Sequence, residues 1–195
     1  MSQTKYPYIY VVLLCISIQI LGLTTTLQYE GNAVFEGQYW RLISAHFSHL
    51  SWFHLSQNMA ALLLLVYLLP CLTSTKALSL VLLISGLAIT GMYYLFFPLS
   101  ISYTGLSGCL HALAAFGILK QIFGSSIKNA RVATTLAFLL SVKLGYEAFA
   151  INDTSIATEA HLIGAISGLF LAICFNYSER VHLLWRRTLR SRGII

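Results

Sequence analysis

Ser102-Tyr103-Thr104-Gly105-Leu106-Ser107-Gly108-Cys109-Leu110-His111 lies inside a run from Ala77 to Leu119 that contains no Lys, Arg, Asp or Glu. Glycine in such sequence lets the backbone bend or lets another segment approach closely. A serine between Gly105 and Gly108 is a candidate nucleophile if a base can reach it. Whether the rest of the chain supplies that base decides both fold and function.

The surroundings are lipid-grade. Of 195 residues, 57% are hydrophobic and 9% charged, and mean hydropathy is +0.77. Soluble domains carry about 25% charged residues, so an integral membrane protein is expected. At roughly 20 apolar residues per span, the chain has room for about six helices in one membrane domain, 1–195. The net charge of +6 does not point to nucleic acid, because the basic residues fall at the ends of apolar segments. Cys15, Cys71, Cys109 and Cys174 form no CxxC pair and read as small buried hydrophobes. No cofactor is called for.

The expected spans are Tyr8–Leu27 (a retained helix rather than a cleaved signal), Ser51–Leu69, Ala77–Phe97, Ser107–Lys120, Val132–Ala150 and Ile156–Phe175. The stretch Gln28–Ser51 is a mixed interfacial loop with Tyr39-Trp40-Arg41. The helix from Ser107 covers only about 20 Å, against ~30 Å of hydrocarbon. Lys120, Lys128 and Arg131 place its far end in water, so Ser107 is expected at the buried end, met by a loop that dips inward.

Charge sets the expected topology. Residues 1–7, the second and fourth loops and the tail 178–195 hold Lys5, Lys76, Lys120, Lys128, Arg131, Arg180, Arg186, Arg187, Arg190 and Arg192. Glu30, Glu36, Asp153 and Glu159 lie opposite, with Arg41. Both termini are then cytoplasmic, and the Ser107 end opens to the outer side. In the tail, Val181, Leu184, Trp185 and Leu189 share a helical face, which fits either an interfacial helix on anionic lipid or a plain topology anchor.

Polar groups inside a membrane are costly and default to functional hypotheses. In the last span His161, Gly164 and Gly168 fall on one helical face, and small residues there allow tight packing. The expected partner face carries Gly108, Ala112 and Ala115, which would bring His161 to Ser107 as general base. Glu159 is on another face and Asp153 is in a loop, so the expectation is a Ser-His dyad without an orienting carboxylate. Free N–H groups at the start of the Ser107 helix, with His54 and Asn58 at i, i+4, form a candidate oxyanion hole. Taken singly, the glycines are also packing signals, His161 an interhelical hydrogen bond, and His54/Asn58 an interface pair. His46 and His49 are expected to hydrogen-bond within the first loop. With His54 their spacing matches no zinc pattern, so no metal is expected. Lys143 and Glu147, at i, i+4, are an expected ion pair facing the cavity or the headgroups, with a possible part in substrate recognition.

His54-x-x-x-Asn58, Gly105-Leu106-Ser107-Gly108 and Ala160-His161-x-x-Gly164-x-x-x-Gly168, with Trp40-Arg41 and His49, together resemble the rhomboid intramembrane serine proteases. The resemblance spans essentially all six helices. It implies an all-α, six-helix rhomboid core with a short fourth helix starting inside the membrane, and catalysis by Ser107 and His161. It also implies an oxyanion hole from His54, Asn58 and the Ser107 backbone, and Gly105, Gly108, His111, Gly164 and Gly168 in support. A substrate helix would enter beside the second and fifth helices and be cut near the outer face. Many bacterial relatives carry a tyrosine four residues after the serine, stacked on the histidine; here that position is His111. Gly-x-Ser-Gly-x-x-His, on a chain of this length without a cytoplasmic domain, looks like the rhombosortase branch. That branch is associated with proteins ending in Gly-Gly, an apolar helix and a basic tail, whose anchor it is taken to remove. The implied location is the bacterial inner membrane, and the implied partners are lipid and membrane-anchored substrates. The competing readings are a non-proteolytic rhomboid-like adaptor, which would usually lack Ser107 or His161, and a proton-coupled transporter, for which no inverted repeat is visible.

Overall fold

A computed structural model describes residues 6–124, 127–150 and 157–191. The architecture is all-α, apart from one two-residue strand pair among the described residues.

Helix α1 runs Tyr8–Ile20. The sequence suggested a span to Leu27, but Gly22 takes φ +64° and breaks it, leaving α2 (Thr24–Leu27) as a separate turn. The loop that follows is structured, with β1 (Tyr29–Glu30), α3 (Gly31–Phe35), α4 (Arg41–Ser44) and a 3₁₀ turn at Ala45–Phe47. Buried Arg41 ties it together. Its Nη1 donates to the carbonyls of Thr25 (2.9 Å) and Gln28 (2.7 Å), and its Nε to Gln38 Oε1 (2.7 Å). A buried guanidinium is tolerable because three acceptors replace its water.

Helix α5 (Trp52–Leu68) is capped by Ser51, whose hydroxyl accepts the His54 N–H at 3.1 Å. After a 3₁₀ turn at Pro70–Thr73 comes α6 (Thr75–Phe96), capped by Ser74. Strand β2 (Ser102–Tyr103) pairs antiparallel with β1, Tyr29 opposite Tyr103 and Glu30 opposite Ser102. This pairing pins the segment ahead of Ser107 to the first loop. Then follow α7 (Ser107–Ile122), α8 (Ile127–Ala150) and α9 (Thr158–Ser191).

Helix α9 extends well past the expected Phe175. As far as Ser191 the tail is therefore a continuation of the last helix, carrying Trp185 exposed on it. The side chains of Val181 and Leu184 lie outside the described residues, as does Asp153. By length and apolarity, residues 75–96, 129–149 and 158–178 suffice to cross a membrane, whereas α1 and α5 are shorter apolar helices. The sequence suggests six spans; among the described residues length alone supports three, because α1, α5 and α7 have only 13, 17 and 16 residues.

Helix α7 is the hub. Every residue from Gly108 to Ile118 is buried, with α5, α6, α8 and α9 around it and α9 packed closest. The reason is backbone contact. A Cβ built on Gly164 would stand 2.0 Å from the Gly108 carbonyl oxygen, and one on Gly168 would stand 2.1 Å from that of Ala112. The glycines singled out in the last span therefore meet the expected partner residues of α7.

Candidate active site

Ser107 is the first residue of α7. The turn before it needs glycine: Gly105 has φ +120°, and a Cβ there would lie 2.6 Å from the His54 ring. The Gly105 N–H donates to the Ala45 carbonyl at 3.0 Å, and the Tyr103 hydroxyl donates to the Gly105 carbonyl at 2.8 Å. Strand pairing, hydroxyl and amide thus fix the backbone that presents the serine.

His161 sits in the first turns of α9, where the glycine seam holds it against α7. Its Nε2 is 2.9 Å from Ser107 Oγ. The ring is 6% exposed and stacks on His111, with centroids 4.2 Å apart and planes 19° apart. His111 Nδ1 donates to the Ser107 carbonyl at 2.7 Å, the i, i+4 acceptor on its own helix.

The expectation that no carboxylate would reach His161 fails. Glu147, on α8, places Oε2 3.0 Å from His161 Nδ1. Its Oε1 is ion-paired with Lys143 Nζ, which also lies 3.0 Å from His111 Nε2. The expected Lys143–Glu147 pair is therefore present and, of its two expected placements, takes the cavity, against the two histidines. The signal in the sequence was an acid inside an apolar span, which needs a partner at its own depth. Sequence alone does not say which rotation of α8 supplies that partner.

A cavity of about 640 Å³ opens in front of these groups, and its walls include Ser107, His111, His161, Lys143 and Glu147 together with His54 and Asn58. His54 and Asn58 thus share the cavity with the serine. The Asn58 amide N–H donates to the His54 carbonyl at 3.1 Å, using one of its two amide hydrogens. The first-turn N–H groups of α7 have no partner within the helix, and the helix dipole makes that end positive.

His46 reaches beyond the first loop. His46 Nε2 lies 3.0 Å from the Gly86 carbonyl of α6, in space that any side chain at Gly86 would fill. Burial pushes its imidazole down to about 4. His49 is wholly buried, edge-on to His54 at 5.1 Å, and neither ring nitrogen has a protein partner.

His111, Glu147 and His161 are three groups of ligating type whose donor atoms lie within 4.8 Å of one another. They do not suit a metal. The two rings are stacked, so their in-plane lone pairs run side by side instead of converging on one point. The Lys143 ammonium already bridges His111 and Glu147.

A family model, the Rhomboid domain, matches residues 36–178, from the first loop through the apolar part of α9. No curated protein matches the chain.

Proposed function

The chain belongs to the rhomboid family of intramembrane serine proteases, and on that premise we propose that it is a serine endopeptidase using Ser107 as nucleophile and His161 as base. The observation that carries the reading is the 2.9 Å approach of His161 Nε2 to Ser107 Oγ on the wall of a cavity. His161 takes the Ser107 hydroxyl proton as Oγ bonds to the scissile carbonyl carbon. The carbonyl π electrons move onto oxygen, giving a tetrahedral oxyanion. Collapse of that intermediate breaks the C–N bond, and the His161 proton goes to the leaving amine. Water, deprotonated by His161, then attacks the acyl-serine; the regenerated Oγ takes the proton back and the new carboxyl terminus departs. The Ser107 N–H, His54 and Asn58 are the donors assigned to the oxyanion; a single such donor contributes about 3–4 kcal/mol to the transition state.

Substrates of this family are membrane proteins cleaved within the bilayer. For this chain we assign membrane-anchored substrates with a C-terminal helix, cut near the outer face of the bacterial inner membrane, with both termini of the enzyme cytoplasmic. The His111 ring stacked on His161 supports placing it with the rhombosortases, which act on Gly-Gly-type anchors.

The test uses the full chain reconstituted in liposomes and a fluorophosphonate probe. Labelling that disappears in Ser107→Ala and His161→Ala is expected. Wild type that neither labels nor cleaves, yet retains membrane-protein clients, makes the chain an adaptor instead. The substrate class is tested with a co-expressed protein ending in Gly-Gly, an apolar helix and arginines, the cut being mapped by mass spectrometry. Efficient cleavage of ordinary single-span rhomboid substrates, with none at or near the Gly-Gly, overturns the rhombosortase assignment.

A further inference from the structure

We infer that Glu147 is a positioning residue for catalysis, the third member of a chain Ser107–His161–Glu147, and that Lys143 locks it in place. The inference rests on the proposed roles of Ser107 and His161.

It follows from which atoms can donate. An ionised carboxylate only accepts hydrogen bonds. With Glu147 Oε2 3.0 Å away, His161 Nδ1 must carry the hydrogen. The lone pair then resides on Nε2, 2.9 Å from Ser107 Oγ, where a base needs it. The opposite tautomer would leave a buried carboxylate facing a lone pair and would present an N–H to the serine hydroxyl. Glu147 therefore selects the working tautomer, and it stands ready to balance the imidazolium formed when His161 takes the Ser107 proton.

The remaining contacts follow the same logic. The Ser107 carbonyl also only accepts, so His111 Nδ1 carries its hydrogen and Nε2 is left as an acceptor. Lys143 fills that acceptor and also holds the other oxygen of Glu147. Glu147 is only 7% exposed, and a lone carboxylate there would be costly. Lys143, half exposed at the cavity wall, sets an opposite charge beside it. The stacked His111 ring fixes the plane of His161. Two helices thus supply serine and base, and α8, with His111 of α7, supplies the groups that orient the base.

The deciding measurement is the second-order rate constant of fluorophosphonate labelling per reactive site, with kcat and KM on a cleaved substrate, for the reconstituted full chain. Glu147→Gln is expected to lower kcat and the labelling rate constant by about 10²- to 10⁴-fold, with KM within about threefold. Glu147→Asp should recover part of the loss, and Lys143→Met should lose about 10-fold or more. A merely structural role would reduce the fraction of chains that label and leave the rate constant of the remainder unchanged; that result overturns the inference. Wild-type rates in Glu147→Gln, with Ser107→Ala and His161→Ala silent, also overturn it while leaving the serine protease reading intact. No Ser107-dependent labelling in wild type overturns both. Should Glu147→Gln not accumulate, Glu147→Asp decides: its shorter reach must lower the rate constant while thermal stability stays near wild type, and a wild-type rate overturns the inference.

Discussion

Gly164 of α9 rests directly on the carbonyl of Gly108 of α7, with no room for even a methyl group between them. That contact brings the His161 ring, three residues earlier on α9, to the serine at the head of α7.

Gly164→Ala and Gly168→Ala are therefore expected to force the two helices apart, since the clash in each case is with backbone that cannot rotate away. Loss of probe labelling and a fall in thermal stability equivalent to about 1–3 kcal/mol should appear together. Gly91, on α6, has nothing within 4 Å of its would-be Cβ. Gly91→Ala should leave labelling unchanged and raise stability by up to about 1 kcal/mol.

Gly105→Ala is a separate case. The left-handed backbone at φ +120° is strained for alanine, and the new methyl would push into the His54 ring. Stability should fall by about 1–3 kcal/mol and activity by more than that alone explains, because His54 is displaced. In a His54→Ala background the steric part of the activity loss should vanish, measured as a double-mutant cycle on the labelling rate constant.

Removing His54 and Asn58, the donors proposed for the oxyanion, tests the other wall of the cavity. Asn58→Ala and His54→Ala should each lower kcat about 10²- to 10³-fold with little change in KM. A change confined to KM would mean that these side chains bind substrate instead.

His46 gives a pH prediction. Its imidazole is held near 4 in the folded chain by burial, against an ordinary value near 6.5. The unfolded chain therefore takes up a proton at a pH where the folded chain does not. Stability from this group is complete above about 6.5 and is lost as pH falls towards 4. Between pH 7 and 4.5 the wild type should lose roughly 2 kcal/mol more than His46→Gln, read from thermal unfolding in detergent at each pH.

The sequence by itself fixes much of this protein. Low charge over long apolar runs dictates a membrane-embedded helical chain, because unpaired backbone cannot sit in lipid. The face shared by His161, Gly164 and Gly168 can be read from helical spacing, and so can its partner face at Gly108 and Ala112, because spacing along one helix fixes direction. Tertiary structure decided what spacing cannot. Glu147 lies 14 positions from His161 and on a different helix, so its hydrogen bond depends on how α8 is rotated and how deep it sits. Tyr29 meets Tyr103 only because two short extended pieces far apart in the chain happen to pair. The glycines around Ser107 mark a candidate nucleophile but read equally as packing signals. The Glu147 carboxylate behind His161 becomes visible only once three helices have packed, because a hydrogen bond between elements is a property of their placement and not of either sequence.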